Sequence, residues 1–323
     1  MRLRFKLLMA SGLLAFATPI SAHNIVIGND DGLTANVKAL YDALKAKGHD
    51  VIVAVPCQQG SGMGGAVQMM KPFQPLKTDC LHGAAKAGDP GAGPMTVAGF
   101  ENDFYYVDST PVVAMLYGLD VVAPARWGKA PDLILSGPNI GRNAGPIVVS
   151  SGTVSNAQYG MMRGIASIAL SAGMNSHSEN ILANPLSQQI AERSVTLVQA
   201  LIAGAEDGPL LPAGIGLNVN FPDQLDGAVW KSAQIGSLSD YDARFVDDLP
   251  KVMGKAKAGS PPLPGLYFRV LEGRAETGQE KDEAAVSREN ISVSVMQVAY
   301  DVPEPQRALA EDMASLLNSS KEN

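Results

Sequence analysis

Residues 24–56 place two short apolar stretches on either side of one amphipathic helix, and that arrangement commits the chain to a parallel sheet. Asn24 to Gly28 (NIVIG) and Asp50 to Pro56 (DVIVAVP) are continuous, mostly β-branched runs of the kind buried on both faces. Between them Val37, Leu40, Tyr41 and Leu44 recur at three and four residues, Thr34 stands where a helix cap belongs, and Gly48 stands where the helix must stop. Such a helix crosses over the sheet and returns the second strand parallel to the first in the right-handed sense. The alternation continues. Asp103 to Asp108 is a strand, Pro111 opens a helix to about Val122, Leu133 to Leu135 is a strand, and Ser136 to Gly152 is a long loop. A helix from about Thr153, the strand Ile165 to Ser171 and a helix from about Pro185 to Ala203 follow. The expected class is α/β, a Rossmann-like doubly wound sheet that gathers its ligands at the C-terminal edge of the strands.

Beyond Pro209 the period changes. Gly216 to Phe221, Val229 to Ile235, Leu266 to Leu271 and Asn290 to Ala299 read as strands without helices between them, which predicts an antiparallel β extension. Glu272 to Arg288 is charged and is expected to be an exposed loop. Pro305 to Leu317 has the spacing of a closing amphipathic helix. Residues 57–106, rich in Gly, Pro and Met, predict loops with an excursion of short strands.

The first 22 residues have a different character. Arg2, Arg4 and Lys6 precede an apolar run from Leu7 to Phe16, and Pro19-Ile20-Ser21-Ala22 supplies small residues for cleavage, the pattern of an export signal. The apolar run is shorter than the roughly 20 residues of a spanning helix. The expected division is therefore an export signal at 1–22, the main domain at 23–208 and the β-rich extension at 209–323, in a periplasmic or secreted protein that spans no membrane. Removing the three basic residues takes the net charge from -7 to -10, a balance that repels duplex nucleic acid and anionic lipid surfaces. A small phosphorylated substrate stays open, because a metal and backbone amides can supply a local positive field. Cys57 and Cys80 are the two cysteines, and in an oxidising compartment they are expected to form a disulfide. The four histidines are scattered, with no zinc-type spacing.

Asn29-Asp30-Asp31-Gly32 directly follows the first strand. Neighbouring side chains on a strand point to opposite faces, so the two carboxylates converge only if the backbone turns, which Gly32 permits. Carboxylates brought together repel, and a hard divalent cation with oxygen ligands relieves the repulsion. The alternative is a polar turn in which Asp or Asn caps the following helix. A second element, Ser136-Gly137-Pro138-Asn139-Ile140-Gly141-Arg142-Asn143 with Ser150-Ser151-Gly152-Thr153-Val154, leads from a strand into a helix N-terminus, where free amides and hydroxyls cradle phosphate.

Taken together, NIVIGNDDG at 24 to 32, Gly60-Ser61-Gly62 and the block from Ser136 to Val154 resemble the SurE family of nucleotidases. Weaker likeness continues through Leu217 to Pro222 and Asp282 to Ser294. The resemblance implies one Mg²⁺ or Mn²⁺ per subunit, held by Asp30, Asp31, Ser61 and Asn139. It places substrate phosphate at Asn29, Asn143, Ser151, Gly152 and Thr153. It also implies hydrolysis of nucleoside monophosphates with Asp30, Asp31 and Asp282 as catalytic groups, Asp282 orienting or deprotonating water, and a homodimer or homotetramer formed through the extension. One departure stands out. Where the family carries an aspartate two residues after Thr-Pro, this chain has Val113, expected to be a core residue. Two other functions compete with the nucleotidase: a broad acid phosphatase or exopolyphosphatase on the same fold, and a periplasmic protein that binds phosphate or metal without turnover.

Overall fold

The computed structural model describes residues 22–178, 182–205, 208–257, 259–271, 275–298 and 312–313. The export signal expected at 1–22 falls outside them but for Ala22, as does the closing helix at 305–317 but for the helical pair 312–313.

β1 (Asn24–Gly28), α1 (Ala35–Ala46) and β2 (Asp50–Pro56) form the expected crossover, with β1 parallel to β2. Thr34 caps α1, its hydroxyl accepting from the Val37 amide at 3.2 Å. β3 (Ala92–Pro94) pairs antiparallel with β4 (Phe104–Val107), which joins the outer side of β2. α2 (Pro111–Tyr117) passes through a π turn at Gly118–Val122 into α3 (Ala123–Trp127), five residues past the expected stop. Pro124 falls in the first turn of the new helix, where its missing N–H costs little.

β5 (Leu133–Ile140), α4 (Gly152–Met162), β6 (Ala166–Ala172) and α5 (Pro185–Ala205) complete the doubly wound half. Five residues of the loop expected from Ser136 belong to β5. Gly137 and Pro138, joined by a cis peptide, are absorbed as an irregularity between Ser136 and Asn139, after which pairing with β6 resumes at Asn139 and Ser171. β7 (Ile215–Asn220) then continues the parallel sheet beside β6.

The antiparallel character begins with the strands that follow. β8 (Trp230–Ala233) and β9 (Tyr241–Val246) precede α6 (Leu249–Val252), β10 (Gly265–Val270), α7 (Glu283–Val286) and β11 (Ile291–Gln297). β11 runs antiparallel to β7 and carries β8 outside it, giving the nine-strand order β3-β4-β2-β1-β5-β6-β7-β11-β8. β9 and β10 form a separate antiparallel ribbon. The sequence pattern missed β9, α6 and α7.

Alternation along the central strands produces two cores. Ile25, Ile27, Val51, Val53, Val55, Leu133 and Leu135 face α1 and α5, whereas Val26, Ile52 and Ile134 face α2 and its continuation. Each fully buried aliphatic side chain contributes about 1.5–3 kcal/mol, so these layers fix the register that delivers residues 29–31 and 136–143 to one edge. Val113 is half-buried on α2 and not part of either core; its neighbour Val112 is the buried one. Among the described residues no helix is long and apolar enough to cross a membrane.

Candidate active site

Where β1 ends, the backbone turns through Gly32 at φ 76°. Because Thr34 caps α1, Asp30 and Asp31 are released from capping and both turn inward. Asp30 is 2% exposed and Asp31 5%. The Thr153 hydroxyl donates to Asp30 Oδ1 at 2.7 Å, and the Thr153 backbone adds a further hydrogen bond. Asp31 accepts from the Ile140 amide at 2.8 Å and from Ser61 Oγ at 3.1 Å. Among the described residues neither carboxylate pairs with Lys or Arg. Burial and then the adjacent Asp31 push Asp30 up to about 7, and burial also pushes Asp31 up.

Two buried acids raised in this way are left with only a small compensating pull, from His177 on Asp31. Asn139, one residue before the amide that holds Asp31, donates its Nδ2 to Gly141 O at 2.7 Å and leaves its buried Oδ1 without a partner among the described residues. Ser61 is brought in by the Gly60 amide, which donates to Asp30 O at 2.7 Å. Two carboxylates, an orphaned amide oxygen and a hydroxyl form an all-oxygen donor set, which fits a hard divalent cation. Among the described residues there is no cluster of three or more His, Cys, Asp or Glu, as zinc or iron sites commonly use.

The residues expected to hold phosphate, Ser151, Gly152 and Thr153, lie at the N-terminus of α4. Ser151 caps that helix, its Oγ accepting from the Val154 amide at 3.1 Å. Gly152 sits directly on the acids, since a Cβ there would lie 2.7 Å from the Cβ of Asp30. The positive end of the α4 dipole and Thr153 therefore converge beside Asp30. Asn29, fully buried, donates to Gly32 O at 3.1 Å and keeps Oδ1 unpartnered among the described residues.

Two expected site residues are placed differently. Asn143 is anchored inward, its Nδ2 donating to Ser171 Oγ at 3.0 Å and its backbone held by Asn218 and Asn220, so it ties the loop to the sheet. Asp282 does not join the acids. Its Oδ1 accepts from Gln234 at 2.9 Å, and its Oδ2 from the amides of Ser237 and Leu238 at 2.8 and 2.9 Å. Burial pushes its carboxyl up, but these three donors prevail and hold it below the usual range. Nor is the segment from Glu272 to Arg288 the exposed loop expected, because Asp282 and Glu283 are buried at its α7 turn. Glu283, Asn218 and Asn220 support the site from below. The sequence signals for them were the likenesses at Leu217 to Pro222 and at Asp282 to Ser294.

The model of the family described as "Survival protein SurE" matches residues 25–242, more than half of the chain. A protein named 5'-nucleotidase SurE from Thermosipho melanesiensis is 27% identical over 89% of this chain and 96% of its own length. An acid phosphatase from Yarrowia lipolytica is 34% identical over 62% of this chain, a match that spans 57% of the yeast protein. The crystal structure of the SurE protein from Aquifex aeolicus superposes with a TM-score of 0.61 and 27% identity, covering 86% of this chain and 94% of that one.

Proposed function

The chain belongs to the SurE family, and from that premise we propose that it is a divalent-metal-dependent phosphomonoesterase releasing phosphate from nucleoside monophosphates. One observation carries the proposal: two buried carboxylates share a site with an unsatisfied amide oxygen and abut a capped helix N-terminus. Asp30, Asp31, Ser61 and Asn139 would hold Mg²⁺ or Mn²⁺, which supplies Lewis acidity toward phosphoryl oxygens and activates water. Around that centre the protein contributes position. Thr153 fixes Asp30, the Ile140 amide fixes Asp31, and the first turn of α4 receives the phosphate charge. Gly152 keeps the phosphate and metal subsites within contact distance.

Exhaustive EDTA treatment is expected to abolish phosphate release from AMP, and Mn²⁺ or Mg²⁺ to restore it. Undiminished turnover after chelation would remove the mechanism. The acid phosphatase among the relatives favours a second reading, a broad phosphomonoesterase. AMP, GMP and p-nitrophenyl phosphate assayed side by side separate the two, equal rates on all three pointing to the broad enzyme.

We also propose export and self-association. The basic-apolar-small start and a disulfide between Cys57 and Cys80 both suit an oxidising compartment outside the cytoplasm. In the β9–β10 ribbon, Phe245 stands opposite Leu266 and Ala243 opposite Phe268, so one face shows Phe245, Leu266, Phe268 and Val270 to solvent. A two-stranded ribbon is marginal alone, and a second copy covering this face would stabilise it. Light scattering is expected to report a dimer or tetramer, and Leu266→Asp with Phe268→Asp to reduce its mass. A monomeric mass for the unaltered chain would sink the idea.

A further inference from the structure

Glu283 is a buried carboxylate for which the proposed hydrolysis has no use. It is fully buried, and burial pushes its carboxyl up to about 7. An ionisable group at such a cost is retained only where its hydrogen bonds matter. Its Oε1 accepts from the Gly145 amide at 2.9 Å, and its Oε2 from Asn218 Nδ2 at 3.0 Å. The same Asn218 nitrogen donates to the Asn143 carbonyl at 2.8 Å. Glu283 therefore grips the backbone on both sides of Ala144, directly at Gly145 and through Asn218 at Asn143.

That grip falls at the junction between the two halves of the site. Upstream are Asn139 and the Ile140 amide that holds Asp31; downstream the chain passes through residues 145–150 to Ser151, Gly152 and Thr153 at α4. The backbone at Gly145 has no freedom to compensate. It sits at φ 70°, and a Cβ there would lie 2.1 Å from Leu238 O.

We infer that Glu283 is the positioning residue of the active-site loop, setting the metal ligands before Ala144 and the phosphate cradle after it in one register. The inference rests on the function proposed above. The hydrogen bonds from Gly145 and Asn218 both come from N–H groups, and the Ser294 hydroxyl also favours the charged form, so the ionised carboxylate satisfies both N–H donors. Glutamine presents an amide nitrogen to one of them and loses that contact.

The test compares wild type, Glu283→Gln and Asn218→Ser by Mn²⁺ calorimetry, by kcat and KM on AMP, and by thermal melting at pH 8. In Glu283→Gln, kcat is expected to fall about tenfold or more and Mn²⁺ to bind about tenfold more weakly, the scale of lost outer support around a metal. KM should change less. Melting should not follow the loss. The folded-state carboxyl titrates above its unfolded value, so its charge lowers stability progressively from the unfolded pKa up to about pH 7 and holds it down above, and the amide is free of that cost. A role confined to packing would lower melting temperature and leave the remaining folded enzyme unchanged. Wild-type kcat and Mn²⁺ affinity in folded Glu283→Gln would overturn the inference. Should that variant not fold, Asn218→Ser decides in the same way, a weakened pair of values supporting the bridge and wild-type values overturning it. If wild type binds Mn²⁺ but hydrolyses nothing, the proposed function fails and the calorimetric comparison still reports on Glu283.

Discussion

Asp30→Asn is expected to lower turnover of AMP by at least about a hundredfold, the scale already reached by changes in a metal's supporting groups, while the metal-free protein melts at a higher temperature. The two effects have opposite signs for one reason. In the metal-free fold Asp30 is buried beside Asp31, and its carboxyl is raised from 3.8 to about 7. A carboxylic acid whose folded pKa is raised costs stability once the pH passes its unfolded value, and that cost is fully present above the folded pKa. Asparagine removes the charge and keeps an oxygen that can accept from Thr153, so at pH 8 the metal-free variant gains stability. With Mn²⁺ present the balance reverses, because the site has lost one of two negative ligands. Melting curves with and without Mn²⁺, beside AMP hydrolysis, read both effects. A turn residue would behave otherwise, since asparagine serves turns and caps as well as aspartate does. Retained turnover together with a retained Mn²⁺-induced rise in melting temperature would leave Asp30 with no part in chemistry.

How much of this was legible in the sequence depends on how local the controlling interactions are. β1, α1 and β2 were readable because a 3.6-residue period, a threonine cap and two β-branched runs fix them within 33 residues. The oxygen donors proposed for the metal were chosen from motif order, and the capping alternative for Asp30 and Asp31 fell to Thr34, which fills the cap itself. The extension of β5 through Asn139 was not readable. Gly137-Pro138 has the composition of a turn, and only pairing with Ser171 on β6, a neighbour 32 positions away, recovers the strand. Charge misled at α7. Aspartate and glutamate in a run of Lys, Glu and Arg suggest a solvated loop, yet Asp282 and Glu283 find amide donors at 237, 238, 145 and 218 that no local pattern reveals. Asn143 carried a motif match and was assigned to phosphate, whereas its partners Ser171, Asn218 and Asn220 are supplied by two distant strands.

Opening the Cys57–Cys80 disulfide is expected to destabilise the fold by about 3 kcal/mol in the chain-entropy model, with little harm to the metal site. The bond joins residues 23 positions apart, and its two Cα atoms are 4.7 Å from each other. The segment it closes is poorly secured by other means, since most of residues 58–75 are exposed and irregular, with Leu76 the first core residue after them. Reduction would therefore release a long loop into a larger unfolded ensemble, which is where such a bond acts. The proposed metal site is insulated from this loss. Cys57 remains held by β4, its amide donating to Val107 O at 2.8 Å, and Gly60 and Ser61 remain held to Asp30 and Asp31. Those contacts do not pass through sulfur. Cys57→Ala with Cys80→Ala should melt roughly 6 °C or more below wild type, and reducing agent should bring wild type to the same temperature. Mn²⁺ affinity should change less than about tenfold, below the shift expected when a supporting ligand is lost. Equal melting of oxidised and reduced protein would show that the bond constrains nothing. A collapse of Mn²⁺ binding with melting unchanged would mean that the disulfide, and not the Gly60 and Ser61 contacts, holds the ligand loop in place.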